Sequence, residues 1–314
     1  MEKVWDVLII GSGPASLTCA IYTIRGAVST LVLAGEAWGG QLMLTTKVDN
    51  FPGFPDGIEG PDLITNMRKQ AERFGSTILN KTVTNVDFIK TPFEIFVGEE
   101  KYLSKTAVVA TGAQTVWLNV PGEKELIGRG VSTCAPCDAP FFKGKVVAVV
   151  GGGDTAMEEV SVLTKYASKV YLIHRKDTFR ASPVMQKKVN NNQKIEIIWN
   201  TDVTKVNGEL GIENLEIKNN KTNEVKKLKV DGLFVAIGHK PESDLFAGVL
   251  ERDEKGFIKV HEGSKTSVPG VFVAGDVADP KYKQAITSAG MGCMAGMDVL
   301  RYLDLDFTIS TTKI

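Results

Sequence analysis

The chain has 314 residues, enough for two ordinary domains, and a 43% hydrophobic content that supports a substantial core. Lysine plus arginine and aspartate plus glutamate each number 37, so the formal net charge is zero and nothing global points to nucleic acid or an anionic membrane. No apolar run approaches the roughly 20 residues of a membrane-crossing helix, and Met1 leads into a strand without a basic segment and apolar stretch, which together predict a cytoplasmic protein.

The first predicted element is the β-branched run VWDVLII, which feeds the turn Gly11-Ser12-Gly13-Pro14-Ala15-Ser16 and then a helix. Strand, glycine turn and helix in this order form a dinucleotide-binding unit. The glycines let a pyrophosphate approach backbone N–H groups, and the helix aims its positive N-terminus at the phosphates. Ser16 replaces the third glycine and is small enough for helix–strand packing. The second strand, STLVLAG, ends where such units place a ribose-binding acid; Ala34 stands there, and Glu36 is the nearest carboxylate. The unit closes at TAVVATG, residues 106–112. VPGEKE near residue 120 and GHKPESD near 240 carry the proline, glycine and charge expected where the chain crosses between domains.

VSTCAPCDAPFF, residues 131–142, holds two of the four cysteines, Cys134 and Cys137, with Asp138 directly after. A reducing cytosol disfavours a static bridge. A metal site would need more ligands than this chain offers: Cys19 and Cys293 sit on the first and last predicted helices, and His174, His239 and His261 are scattered, so no metal is expected. The pair is read as a redox-active disulfide, because two intervening residues close a small ring that opens without large backbone movement. One thiol must then serve as attacking thiolate and the other as resolving group. Asp138 suits either a proton donor and acceptor or a turn-capping aspartate. Cys19 and Cys293, on small-residue faces, read as buried apolar residues.

A second copy of the motif follows. KVVAVVGGGDTAMEE contains Gly151, Gly153, Asp154, Thr155 and Ala156 in the pattern G-x-G-x-x-A. The strand after its helix, within KVYLIHRKDTFRAS, ends in His174, Arg175 and Lys176, with Arg180 close behind. A basic cluster here suits the 2′-phosphate of NADPH better than the free hydroxyl of NAD; the plain alternative is a solvated basic strand end. Reduced nicotinamide needs a hydride acceptor, which assigns a flavin to the first site. This copy closes at DGLFVAIG, residues 231–238. GVFVAGDVAD at 270–279 and the helical pattern YKQAITSAGMGCMAGMDVLRYL at 282–303 are too little for a domain of their own and complete the first. The fold class is α/β, with two Rossmann-like dinucleotide-binding domains, one inserted into the other. Residues 1–116 and 244–314 form the flavin domain, and residues 117–243 form the NADPH domain with the cysteine pair.

In order and spacing, GSGPAS, GGQLMLTTKVDNFPGFP, C-x-x-C-D, GGGDTAMEE, HRKDTFRAS, FVAIGHKP and GVFVAGDV…YKQAITSAGMGC resemble the low-molecular-weight thioredoxin reductases over essentially the whole chain. The resemblance implies a homodimer with one FAD per subunit, in which NADPH reduces FAD, FAD reduces the disulfide, and the dithiol reduces thioredoxin or a thioredoxin-like protein. It implies that Cys137 faces the flavin, that Cys134 is the interchange thiol and that Asp138 is the acid–base residue. Gly40, Gln41, Asn50, Asp276, Gln284, Ala285 and Ile286 fall at FAD positions, and Arg175, Lys176 and Arg180 at NADPH phosphate positions. It also implies that the inserted domain rotates on its two crossings to present the cysteines alternately. The chain departs from the family at Pro136, where threonine or valine is usual, at Ser16 and at Ala34. Three competing functions are a dithiol oxidase, whose relatives commonly lack the basic cluster, a ferredoxin-fed reductase, for which a degraded second motif is expected, and a flavin-binding module, against which the intact C-x-x-C-D argues.

Overall fold

The computed structural model describes residues 2–311, with side chains through Asp304. In chain order the elements begin with β1 (Val4–Ile10), α1 (Pro14–Arg25), β2 (Thr30–Leu33), β3 (Lys47–Val48), β4 (Ile58–Glu59), α2 (Gly60–Arg73), β5 (Thr77–Leu79), β6 (Asn85–Asp87), β7 (Phe93–Val97), β8 (Glu100–Val109) and β9 (Ala113–Thr115). There follow β10 (Val131–Ser132), α3 (Ala135–Asp138), β11 (Val146–Gly151), α4 (Asp154–Leu163), β12 (Lys169–His174), α5 (Pro183–Asn190), β13 (Ile195–Trp199), β14 (Thr201–Asn207), β15 (Asn214–Asn219), β16 (Val225–Lys229) and β17 (Gly232–Ala236). The chain ends with β18 (His239–Pro241), β19 (Val271–Val273) and α6 (Ala285–Thr311). The chain divides between Gln114 and Thr115 and again between His239 and Lys240. The two ends form one unit, and Thr115–His239 forms a second that is inserted between them.

In the first unit the sheet order is β5-β2-β1-β8-β7-β6, with β19 also beside β8. The strands β5, β2, β1, β8 and β19 are parallel, and β7 and β6 close the sheet as an antiparallel hairpin. The period-two alternation of β1 decides which core each residue joins. Val7 and Ile9 face the core built with α1 and α6, while Leu8 and Ile10 face the core shared with Phe93, Ile95 and Phe246. Both faces are covered, so the strand reads as a continuous apolar run. Helices α1 and α6 pack closely because α6 carries glycine at the contact: a Cβ on Gly292 would stand 2.1 Å from the Ala15 carbonyl oxygen.

The second unit repeats the plan. Its parallel sheet has the order β10-β17-β11-β12-β13, and β14, β15 and β16 form an antiparallel meander. Val147 and Val149 of β11 face the core with α4, whereas Ala148 and Val150 face the core lined by Leu215 and Leu233. The segment Val120–Glu125 lies inside this unit. There the buried carboxylate of Glu123 accepts the N–H groups of Leu118 at 2.9 Å and Asn119 at 2.7 Å.

The last helix begins at Ala285, three residues after the first residue of the apolar pattern, Tyr282. The delay has a local cause: the Asp279 carboxylate accepts the N–H groups of Lys281, Tyr282 and Lys283, and Lys283 is left-handed at φ 48°. Those N–H groups are taken by a turn, so helix formation starts only beyond it.

Candidate active site

Three constellations carry the chemistry. The first surrounds the N-terminus of α1. Gly11 is at φ 121°, and a side chain there would place Cβ 2.1 Å from the Ala110 carbonyl oxygen, so the strand-to-helix turn requires glycine. Gly13 is the N-cap, no side chain caps the helix, and no acidic residue lies in its first turn. A Cβ on Gly13 would meet nothing within 4 Å. A bare, positive helix start facing open space fits the pyrophosphate of a dinucleotide.

Several of the predicted residues meet this turn, and others lie on neighbouring segments of the same unit. The Ser12 hydroxyl donates to the Ala34 carbonyl at 2.7 Å and accepts the Gly39 N–H at 2.8 Å, tying the end of β2 to the Gly39-Gly40 loop. A Cβ on Gly40 would have the Gly13 Cα as its nearest neighbour, at 3.9 Å. A Cβ on Gly275 would come within 2.9 Å of the Ala15 Cβ, which sets Asp276 beside the same helix start. Asp276 accepts the Ser288 hydroxyl at 2.7 Å, and burial pushes its carboxyl above the usual range, with Ser288 opposing. The Asn50 amide donates to Gln284 Oε1 at 3.3 Å, immediately before Ala285 and the exposed Ile286. Gln41 is exposed on a 3₁₀ turn, Gly40–Leu44. Ser16 does more than fit: its hydroxyl donates to the Gly11 carbonyl at 2.6 Å. Ala34 is core, and the exposed Glu36, whose N–H donates to Thr82 at 3.2 Å, is the acid at that strand end.

The second constellation surrounds α4. Gly153 is the N-cap with open space where its Cβ would be, and Ala156 packs against Gly151. Thr155 is exposed on the first turn. Asp154 accepts the Ser182 N–H at 2.8 Å and its hydroxyl at 2.9 Å, fastening the loop that follows β12. His174 is buried with Nε2 at 3.0 Å from the Thr178 carbonyl, and its ring fills the space a Gly152 side chain would need. Burial, with Arg175 and Arg180 nearby, holds its pKa below the usual value, so it serves as a neutral brace for the loop. Arg175, Lys176 and Arg180 are exposed on that loop, and the Arg180 N–H donates to the Gly152 carbonyl at 2.8 Å. Trp199 stands beside His174 in register at the neighbouring strand end, and its ring centroid is 4.2 Å from that of Phe179. Neither aromatic was anticipated; the signal was Trp199 ending a strand next to the basic one, where open α/β sheets bind ligands.

The third constellation is the cysteine pair, in the same unit as the second. Cys134 and Cys137 form a disulfide with an S–S distance of 2.02 Å. The backbone between them is one helical turn, with the N–H groups of Cys137 and Asp138 donating to the Cys134 carbonyl at 3.2 and 3.0 Å. Pro136 falls in the first turn of α3, where a missing N–H costs nothing. The Cys134 N–H donates to Ser132 Oγ at 3.1 Å, and the Ser132 hydroxyl also bonds the Asp138 side chain. Burial lifts the Asp138 carboxyl above its usual range, partly opposed by Ser132, whose hydroxyl orients it at the end of the redox turn. Behind the turn lies Glu159 of α4, 8% exposed, whose carboxylate accepts the Ala135 N–H. Sequence reasoning missed it, although an acid between Ala156, Val160 and Leu163 interrupts a buried apolar stripe.

Cys19 is fully buried, and Cys293 is half-buried near it. Among the described residues no group of three or more histidine, cysteine or acidic side chains could hold a metal ion, and no helix is long and apolar enough to cross a membrane.

A family model for pyridine nucleotide-disulphide oxidoreductases matches residues 5–292. Thioredoxin reductase 2 of Arabidopsis thaliana is 50% identical over 312 residues, covering 95% of this chain and 82% of that protein. The thioredoxin reductase of Chlamydia pneumoniae is 47% identical, covering 95% and 98% respectively. A solved thioredoxin reductase from Giardia duodenalis superposes with a TM-score of 0.92 at 41% identity, covering 96% of this chain and 100% of that one. Two glycine turns on paired parallel sheets, a disulfide with its attendant carboxyl, and these likenesses agree: the chain belongs to the pyridine nucleotide-disulphide oxidoreductase family, among the low-molecular-weight thioredoxin reductases.

Proposed function

We propose that the chain is an NADPH-dependent, FAD-containing reductase of the disulfide in a thioredoxin or thioredoxin-like protein, working as a cytoplasmic homodimer. The observation that supports this most directly is the Cys134–Cys137 disulfide on a helical turn, followed by a half-buried carboxyl and housed in the unit that carries the second glycine turn. Thioredoxin as the partner rests on the names of the relatives above.

In this reading Gly11, Ser12, Gly13, Pro14 and Ala15 hold the FAD pyrophosphate at the start of α1. Glu36 lies toward its ribose, and Gly40, Gln41, Asn50, Asp276, Gln284, Ala285 and Ile286 line the remainder. Gly151, Gly153, Thr155 and Ala156 form the corresponding cradle for NADPH. Arg175, Lys176 and Arg180 receive its 2′-phosphate, while Asp154 and His174 hold the loop that presents them. FAD, when bound, would supply the acceptor for the hydride of NADPH and the electron pair that opens the disulfide. The S–S bond opens as two electrons and one proton enter, leaving one thiol and one thiolate. The Cys134 thiolate attacks one sulfur of the partner's disulfide, forming a mixed disulfide and releasing the other partner sulfur as a thiolate that takes up a proton. Cys137, its proton removed by Asp138, attacks Cys134 Sγ, restoring the internal bond and releasing the second partner sulfur as a thiolate that takes up the proton from Asp138.

The test is covalent capture. Cys137→Ser should trap a mixed disulfide between Cys134 and an oxidised thioredoxin, and Cys134→Ser should trap none while abolishing thioredoxin reduction. Turnover surviving in Cys134→Ser would overturn the assignment of the interchange thiol.

A further inference from the structure

We propose that Glu159 is a positioning residue of the dithiol centre: from α4 its carboxylate pins the Ala135 N–H of the redox turn and, by its charge, opposes thiolate formation at Cys134. The inference rests on the reading of Cys134 and Cys137 as the working dithiol.

The backbone arithmetic of the turn singles out one donor. A helical start leaves its first N–H groups without intrahelical acceptors. Here Pro136 has none to offer, and those of Cys137 and Asp138 both reach the Cys134 carbonyl. The Ala135 N–H is left over, on a residue with 0% exposure, where an unpaired donor would be costly. Glu159 supplies the acceptor from a different element. A neutral serine or asparagine would satisfy the same N–H, so a charged group buried at this place carries a cost that a mere cap would avoid.

That charge has a consequence for the sulfurs. While the disulfide is closed, the S–S bond itself links residues 134 and 137. On reduction this closure is lost, and a thiolate appears one residue from the Glu159 hydrogen bond. A carboxylate close to a thiol disfavours its ionisation. The charged groups that act on Glu159 are Asp138 on α3 and Glu158 on its own helix. Burial lifts its carboxyl to about 7, with Asp138 and Glu158 adding and the Ala135 N–H opposing. The negative charge behind Cys134 is therefore switched on across neutral pH, and the thiol and carboxyl titrate as a coupled set.

The experiment measures the rate at which iodoacetamide alkylates Cys134 in the full-length holoprotein after reduction with dithiothreitol, from pH 5 to 9, with peptide mass spectrometry as the readout. Wild type should show two inflections. Glu159→Gln keeps an acceptor for Ala135 but no charge; it should show one inflection, with alkylation at pH 8 about two- to tenfold faster. Glu159→Met, neutral and of similar volume, should show the same acceleration and stands in if the glutamine variant does not accumulate. Superimposable wild-type and variant profiles would mean a purely structural acceptor and would overturn the proposal. A parallel arm adds NADPH to the wild-type protein and counts thiols: failure to open the disulfide there would sink the functional reading itself, independently of how Glu159 behaves.

Discussion

Counted six residues on from the second glycine of each motif, α1 carries Cys19 and α4 carries Glu159. The two helices start alike, on glycine N-caps with no side-chain cap and open space beside them. Yet Cys19 sits at 0% exposure in an apolar core, where burial drives its thiol far above the usual range. Glu159, almost equally buried, turns a carboxylate onto the neighbouring redox turn. The strand ends differ in the same sense. Ala34 is folded into the core after β2, whereas Arg175 and Lys176 are exposed after β12. The backbone cradle is thus shared, and a few side chains at equivalent places differ: apolar and buried in the first copy, charged and either exposed or turned onto the disulfide turn in the second.

The contrast at the strand ends breaks with the largest effect. In the proposed reading, Arg175→Ala combined with Lys176→Ala would remove two charge-assisted contacts and should raise the Kd for NADPH by about 10² to 10⁴-fold. NADH, which lacks the 2′-phosphate, should weaken only slightly, as followed by titration of protein fluorescence. Equal losses for both would contradict the phosphate role.

The contrast between Cys19 and Glu159 is sharpened by pH. A carboxyl raised from 4.5 to about 7 on folding binds its proton more tightly in the folded state. Its stabilising contribution is complete below the unfolded value and is lost as pH rises toward the folded one. Between about pH 4.5 and 7 that loss is on the order of 3 kcal/mol. Glu159→Gln should therefore unfold in urea like wild type near pH 4.5 and be more stable at pH 8. Cys19→Ala should cost about 1 kcal/mol at both, since its thiol stays neutral throughout. A Glu159→Gln difference that does not change with pH would contradict the titration.

Much of this was legible in the sequence, for identifiable reasons. The glycine turns announce themselves because only glycine permits the approach of Gly11 to Ala110. The parallel sheets follow from apolar runs covered on both faces. The basic strand end was readable because of its place after the second glycine motif, and C-x-x-C-D because cysteines are scarce in this chain. What stayed hidden is which of several available contacts forms. The Asp279 carboxylate takes the N–H groups two to four residues on and so delays α6. His174 braces its loop through the Thr178 carbonyl, four residues on, while itself buried. Glu159 was partly visible as a break in an apolar stripe, but its partner lies 24 residues earlier in the chain.

The measurement that bears most directly on electron flow through this chain is anaerobic mixing of the oxidised, flavin-loaded protein with NADPH, followed by flavin absorbance and by mass labelling of new thiols. The account predicts rapid bleaching and the appearance of labelled Cys134 and Cys137, with Cys19 and Cys293 unchanged. Flavin that keeps its absorbance, or bleaching that leaves the Cys134–Cys137 bond closed, would contradict it.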